Sequence, residues 1–408
     1  MIAHVLLDAW KIIGALAVCA TLPGSVELLV LSTAALFPKR KKTIHPPIAV
    51  WRVAVVVPAH NEAANIVSCV ESLLGAERGD MAVSVHVIAD NCTDDTAQRA
   101  EDAGAHVLIR TNEVERGKGY ALHFAFTNLD LLRYDALLIV DADTAVASNF
   151  IVAAAGSLRE GADAVQARYL VHNLEEGTRT RIMGLSLRAF NVVRPLGREH
   201  LGLSVGILGN GFGLRSNTLR TVPYLASSVV EDLEYHLELV QAGYRVKFVN
   251  DTTVFGEMPV RGEGVKTQRS RWEGGRLRML RERGPQLLRG VLNGKLIFLE
   301  PLVELLLLPL ALHVTLLAIA ISTPQTIVRG IGLAGFGIVL LHLAAALVVG
   351  GSSWRDVGTL AIAPFYILWK LTQIPALLRN ARSGNTWVRT KRNAEAQTTE
   401  DPTTTGRS

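Results

Sequence analysis

The chain has 408 residues, room for two or three domains, with 49% apolar residues, 19% charged residues and a formal charge of +5. Its cysteines, Cys19, Cys69 and Cys92, are too few and too scattered for a disulfide framework or a zinc site, and they fit a reducing cytosol. The excess positive charge is clustered at Pro38-Lys39-Arg40-Lys41-Lys42 and at Arg379, Arg382, Arg389, Lys391 and Arg392, each beside an apolar segment. Such placement marks the cytosolic flanks of membrane spans, so no nucleic acid is expected as a partner.

Ile12–Leu36 carries no charge except Glu27 and is long enough to cross a hydrocarbon core of about 30 Å. A cleaved signal peptide fits less well, because the basic cluster follows the apolar run. From 43 to 290 the charges are spread and strands alternate with helices. Val53–Val57 predicts a buried strand ended by Pro58, followed by a helix from about Ala63 to Leu74 and a strand over Val83–Ala89. Thr93 is placed to cap the next helix, with Asp94 and Asp95 near its positive end. His106–Ile109 and Ala136–Val140 read as further strands. This alternation predicts a parallel sheet with ligand groups at the carboxyl ends of its strands.

Val230-Glu231-Asp232 opens an amphipathic helix over Leu233–Ala242, closed by Gly243. Leu305–Ile321 and Ile331–Val349 are expected to span the membrane. Leu360–Leu378 contains Pro364, Lys370 and Pro375 and reads either as a further span or as a broken helix lying at the interface. Asn393–Ser408 lacks apolar anchors and is expected to be disordered. The expected organisation is an anchor with its basic flank (1–42), a catalytic domain (43–290), membrane and interfacial helices (291–392) and a tail (393–408).

Candidate chemistry falls at strand exits. Pro58-Ala59-His60-Asn61-Glu62 leaves the first strand and Ala89-Asp90-Asn91-Cys92 the second. Asp141-Ala142-Asp143 leaves the fourth. Alternate acids at a strand end can face one crevice, and their hard oxygens suit Mg²⁺ or Mn²⁺ on a diphosphate. The bland alternative is a solvated turn. Glu231 and Asp232 could likewise serve only a helix N-terminus. Gln268-Arg269-Ser270-Arg271-Trp272 could be an interfacial Arg-Trp pair.

In this order and with these flanking segments the motifs resemble glycosyltransferase family 2. Within it they are similar to the membrane-integrated processive branch of cellulose, hyaluronan and poly-N-acetylglucosamine synthases. The resemblance runs from about Val53 to Arg392. It implies an α/β, GT-A (Rossmann-like) cytosolic domain flanked by transmembrane helices, in a multi-pass protein of the inner (plasma) membrane. It further implies that Ala59, Glu62 and Asp90 line the nucleoside pocket and that Lys118 of Arg116-Gly117-Lys118-Gly119 lies near the nucleotide. Asp141 and Asp143 would hold the metal and Asp232 would act as general base. Gln268, Arg271 and Trp272 would grip the diphosphate and frame the acceptor. Gly209-Asn210-Gly211 matches an acceptor-side loop, and Trp387–Arg392 a gating segment. In place of the usual Asp-Asp-Gly-Ser the chain has Ala89-Asp90-Asn91-Cys92, and no Cys-Gly follows the Gly-Asn-Gly loop; glucose as donor is therefore not implied.

The function so implied is inverting transfer from a nucleotide-sugar, a UDP-sugar being the expected donor, to a glycan or lipid-linked acceptor beside membrane lipid. A β-linked exopolysaccharide would be the product, with an accessory export subunit as a candidate partner. The alternatives are a single-addition glycolipid-forming enzyme of the same family or a membrane transporter. A dinucleotide enzyme is disfavoured because Gly-x-Gly-x-x-Gly is absent after the first strand.

Overall fold

The computed structural model describes residues 2–37, 50–172, 178–226, 228, 230–256, 263–351 and 354–372, with only the backbone described at 178–179, 263–273, 354–355 and 370. Trp387–Arg392 and the 393–408 tail lie outside the described residues. The elements sort into two compact units, one of helices and one built on a sheet.

The sheet unit has eight strands: β1 (Arg52–Ala59), β2 (Ala82–Asp90), β3 (His106–Arg110), β4 (Ala136–Ile139), β5 (Thr144–Val146), β6 (Ala164–Val171), β7 (Phe212–Arg215) and β8 (Val246–Gly256). Their order is β3-β2-β1-β4-β7-β6-β8-β5. β1 is a near-continuous run of β-branched residues, Val53–Val57, because both of its faces are covered. Val53, Val55 and Val57 point to one face and pack with Ile66, Cys69, Val70 and Leu73 of the helix Ile66–Leu74. Those four positions recur at helical spacing and form its buried stripe.

β1, β2, β3 and β4 pair in parallel, as the strand-helix alternation predicts. The sheet as a whole is mixed, however, because β7 runs antiparallel to both β4 and β6. Gly213 at its centre permits this insertion: a Cβ there would lie 2.5 Å from Leu138 Cδ2 and 3.1 Å from Val165 Cγ2. The Thr93 cap is also not formed. The next helix is Thr96–Asp102, and Asp94 accepts the Thr96 backbone N–H at 3.1 Å. Thr93 instead donates its own N–H to Asn61 Oδ1 at 2.8 Å, which ties the first two exit loops together.

In the helical unit, Ile2–Leu36 and Thr326–Val349 are long and apolar enough to cross a membrane. The predicted span Leu305–Ile321 is broken. Leu296–Leu306 and Leu310–Ser322 meet at an angle of 80°. Pro309 explains the break, since it has no N–H to donate and pushes the preceding residue out of the helical region. Ser25 bonds His313 at 3.2 Å and Ser32 bonds His342 at 2.8 Å, linking the N-terminal helix to both later ones. Against it also packs the helix Arg194–Leu201, where Gly197 brings the two backbones together: a Cβ there would meet the Leu31 carbonyl oxygen. Glu27, the lone charge noted in the first apolar segment, is matched here. Arg198 bonds it at 2.7 Å and Arg194 at 3.2 Å, and both arginines pair with Glu304. Arg198 also pairs with Glu300.

Candidate active site

The exits of β1, β2 and β3 are stitched by side chains of the residues that leave the strands. Asn61 and Asn91 adopt left-handed conformations (φ 54° and 51°), which asparagine tolerates better than most residues. Asn91 Oδ1 accepts the Asn112 N–H at 2.8 Å, and the Glu62 N–H donates to Thr96 Oγ1 at 2.8 Å. His60 Nδ1 lies 2.7 Å from the Asp90 carbonyl oxygen, and the Cys92 thiol points to the Ala59 carbonyl at 3.5 Å. Ala59, Glu62 and Asp90 are thus brought together in one buried corner.

Arg110 joins that corner, a residue the sequence reading missed. Its guanidinium bonds Asp90 Oδ1 at 2.7 Å, with both side chains almost wholly buried. The register of the parallel pair places Asp90 opposite Arg110, so the signal was an acid and a base at matching strand ends. Burial holds the Asp90 carboxyl above its ordinary range, and Arg110 opposes that shift.

A second cluster lies after β4. The Lys118 ammonium, in the first turn of the helix Lys118–Asn128, bonds both the Asp141 carboxylate and the Gly209 carbonyl. Asn210 fixes this arrangement: its Oδ1 accepts the Asp141 N–H at 3.1 Å and its amide donates to Thr144 Oγ1 at 2.8 Å. Gln166 holds the same loop, donating to the Asn210 carbonyl and accepting the Leu208 N–H, both at 2.8 Å. Asp143 sits beside Thr144, whose hydroxyl is 3.5 Å from its Oδ1. Asp232, in the first turn of the helix Glu231–Gln241, reaches the loop at Gly209, where a Cβ would be 3.2 Å from its Oδ2.

Charge is concentrated here. Burial raises the Asp232 carboxyl above its ordinary value, while the Leu233 N–H at 2.8 Å and the Lys118 charge pull it back. Burial works against the Lys118 charge too, yet Asp141, Glu231 and Asp232 outweigh it and hold the ammonium above its usual range. Lys118, Asp141 and Asp232 therefore meet around the 209–210 loop, with Asp143 two positions along the chain from Asp141. Gln268, Arg271 and Trp272 lie in the helix Glu263–Leu292, where only their backbone is described.

The donor set suits a hard cation. Asp141 and Asp143 offer hard carboxylate oxygens, and of the two Asp141 is answered by the Lys118 ammonium. Among the described residues the carboxylate trio within ligand distance is Glu27, Glu300 and Glu304, whose oxygens lie within 4.8 Å of one another. Arg194 and Arg198 answer that cluster with guanidinium charge, so it does not suit a metal. A pair of carboxylates completed by substrate phosphates is the usual way a small divalent cation binds beside a nucleotide.

The profile of glycosyltransferase like family 2 matches residues 51–275, from the start of β1 into the helix Glu263–Leu292. The chain belongs to this family. Family 2 is a family of transferases, and its match covers both clusters described above. The probable glycosyltransferase YdaM of Bacillus subtilis is 23% identical over 235 residues, 55% of either chain. A probable glucomannan 4-beta-mannosyltransferase of Arabidopsis thaliana is 22% identical over 243 residues, 56% of this chain and 44% of the relative. The chain spans about half the length of these curated relatives. Among solved structures, the mannosyltransferase PcManGT of Pyrobaculum calidifontis, in complex with GDP-Man and Mn²⁺, superposes with a TM-score of 0.53. That match covers 91% of this chain and 97% of the other at 17% identity, and it shows a shared mixed α/β, GT-A-like fold.

Proposed function

We propose that this family 2 enzyme transfers a sugar from a nucleotide-sugar to a membrane-held acceptor with inversion, Asp232 acting as general base. The observation that carries the reading is the meeting of Asp232 with the Gly209 loop that Lys118 and Asp141 hold. A carboxylate raised by burial and close to a fixed loop is suited to take a proton from an attacking hydroxyl. No second carboxylate is assigned as nucleophile, so the displacement is single and an α-linked donor gives a β-linked product.

Asp141 and Asp143 would hold Mg²⁺ or Mn²⁺, which would supply positive charge to offset that on a departing nucleoside diphosphate. Lys118 holds Asp141 and the Gly209 carbonyl in place and adds positive charge beside the diphosphate. Ala59, Glu62 and Asp90 are proposed to receive the nucleoside, with Arg110 fixing the Asp90 carboxylate. Gln268, Arg271 and Trp272 are assigned to the diphosphate and acceptor on the family resemblance. The two apolar helices support membrane attachment, and the basic clusters at 38–42 and 379–392 argue for a cytosolic catalytic unit. We further propose that the acceptor is extended repeatedly into a β-linked glycan.

The test is donor screening with purified protein in detergent, reading nucleoside diphosphate release and product size. Release that needs both a nucleotide-sugar and a membrane-extracted acceptor is expected, with products of many lengths. No release from any nucleotide-sugar would overturn the transferase reading, and a product one sugar longer than its acceptor would remove the polymer.

A further inference from the structure

The C-terminal half of the helix Glu263–Leu292 has two unlike sides. Met279 and Leu287 are buried, at 3% and 1% exposure. At about 100° per residue, Arg278, Arg281, Leu288, Arg289 and Leu292 fall in one arc on the other side, and all are exposed. Leu292 is 76% exposed, and beyond it Lys295, Leu296 (71%) and Ile297 (51%) continue the same mixture. Arg278 is engaged by Glu282 at 2.8 Å. Among the described residues, Arg281, Arg289 and Lys295 form no ion pair.

We infer that this face binds anionic phospholipid headgroups at the membrane surface. A long cation beside an exposed leucine suits an interface in which the stem and leucine enter the acyl boundary and the charge meets phosphate. A nucleic acid would use the cations and gain nothing from the leucines. An apolar protein groove would use the leucines and strand the cations. Anionic lipid uses both. Chain continuity argues the same way, since the stripe runs directly into the apolar bent pair Leu296–Leu306 and Leu310–Ser322. The inference rests on the membrane attachment proposed above and is independent of the transferase reading.

The experiment is native mass spectrometry of the full chain in detergent, titrated with phosphatidylglycerol or phosphatidylcholine. Phosphatidylglycerol should bind the protein more tightly. The Arg281→Gln/Arg289→Gln/Lys295→Gln variant should lose about ten- to a hundredfold of that affinity, as expected for removing three surface cations. Arg281→Lys/Arg289→Lys should retain it, which separates charge from helix damage. Equal binding of the two lipids by the parent protein, or unchanged phosphatidylglycerol binding by the glutamine variant, would overturn the proposal. Lipid is read here, not sugar transfer, so an inactive preparation still tests it. Release of the protein from membranes by alkaline carbonate would instead remove the membrane attachment itself.

Discussion

Gly209 and Asp232 share a contact too tight for a side chain to enter without moving the carboxylate. The glycine has a φ of +78°, and a Cβ on it would stand 3.2 Å from Asp232 Oδ2. Gly209→Ala should therefore cost roughly 1–2 kcal/mol of backbone strain. It should also displace the carboxylate, lowering turnover about 10- to 100-fold. Steady-state kinetics alongside a melting curve checks this, and parental turnover in the variant would mean that the contact is not used.

Asp232→Asn should lower turnover by roughly 10²–10⁴, with donor affinity little changed. Stability should move the other way. A carboxyl whose folded value lies above its unfolded one, about 3.9, stabilises at low pH and loses that contribution as pH rises through the folded value. Near neutrality the amide should therefore be at least as stable as the parent. A lower melting temperature at pH 7 together with collapsed donor binding would make Asp232 a binding residue.

The same raised carboxyl shapes the pH profile. A base must be ionised to act, so the acidic limb of the turnover profile should lie above the ordinary carboxylate range. A limb at or below about 3.9 would point to another group.

Asp143→Asn should abolish transfer while leaving the protein folded, because the amide keeps the shape and removes the charge that holds a cation. Mn²⁺ titration followed by magnetic resonance should show lost binding in the variant. Full activity in excess chelator would remove the metal from the account.

Arg198→Gln should destabilise the helical unit by about 3–5 kcal/mol, the usual cost of stranding buried partners. Glu27 and Glu304 lose an opposite charge in that variant. Adding Glu27→Gln should recover part of the loss. The readout is the fraction of monodisperse protein after heating in detergent. An unaffected single variant would make the network incidental.

The first half of the sheet was legible because β1, β2 and β4 are strongly apolar and followed by polar exits at His60, Asp90 and Asp141, although β1 does not end at Pro58 as expected but runs through it, in register with Ile88, to Ala59. The rest was not. β7 has no apolar run, with Gly213 second and Arg215 last of its four residues, and its antiparallel course depends on Gly213 leaving room for Leu138 and Val165. The helix Arg194–Leu201 reads as polar along the chain, since its arginines find their carboxylate partners far away in sequence, at Glu27, Glu300 and Glu304. In the site, Asp141, Lys118 and Asp232 could be named through the family resemblance, and all three gather at the Gly209 loop. Gln166 and Asn210 could not be read as its supports, because their value lies in hydrogen bonds between segments distant in sequence.

The arginine-carboxylate network draws on residues 27, 194, 198, 300 and 304, so it has an order of assembly. During synthesis Glu27 enters first, and its guanidinium partners appear only after β6 has been made. Glu300 and Glu304 follow later still. At about 5–20 residues per second, the first apolar helix waits on the order of tens of seconds for its neighbours. For that interval a carboxyl sits in an apolar segment without its partners, where the insertion machinery would have to shield it. Biogenesis of this protein is therefore expected to depend on a factor that shelters incomplete bundles, and slowing translation after β8 should lengthen that dependence.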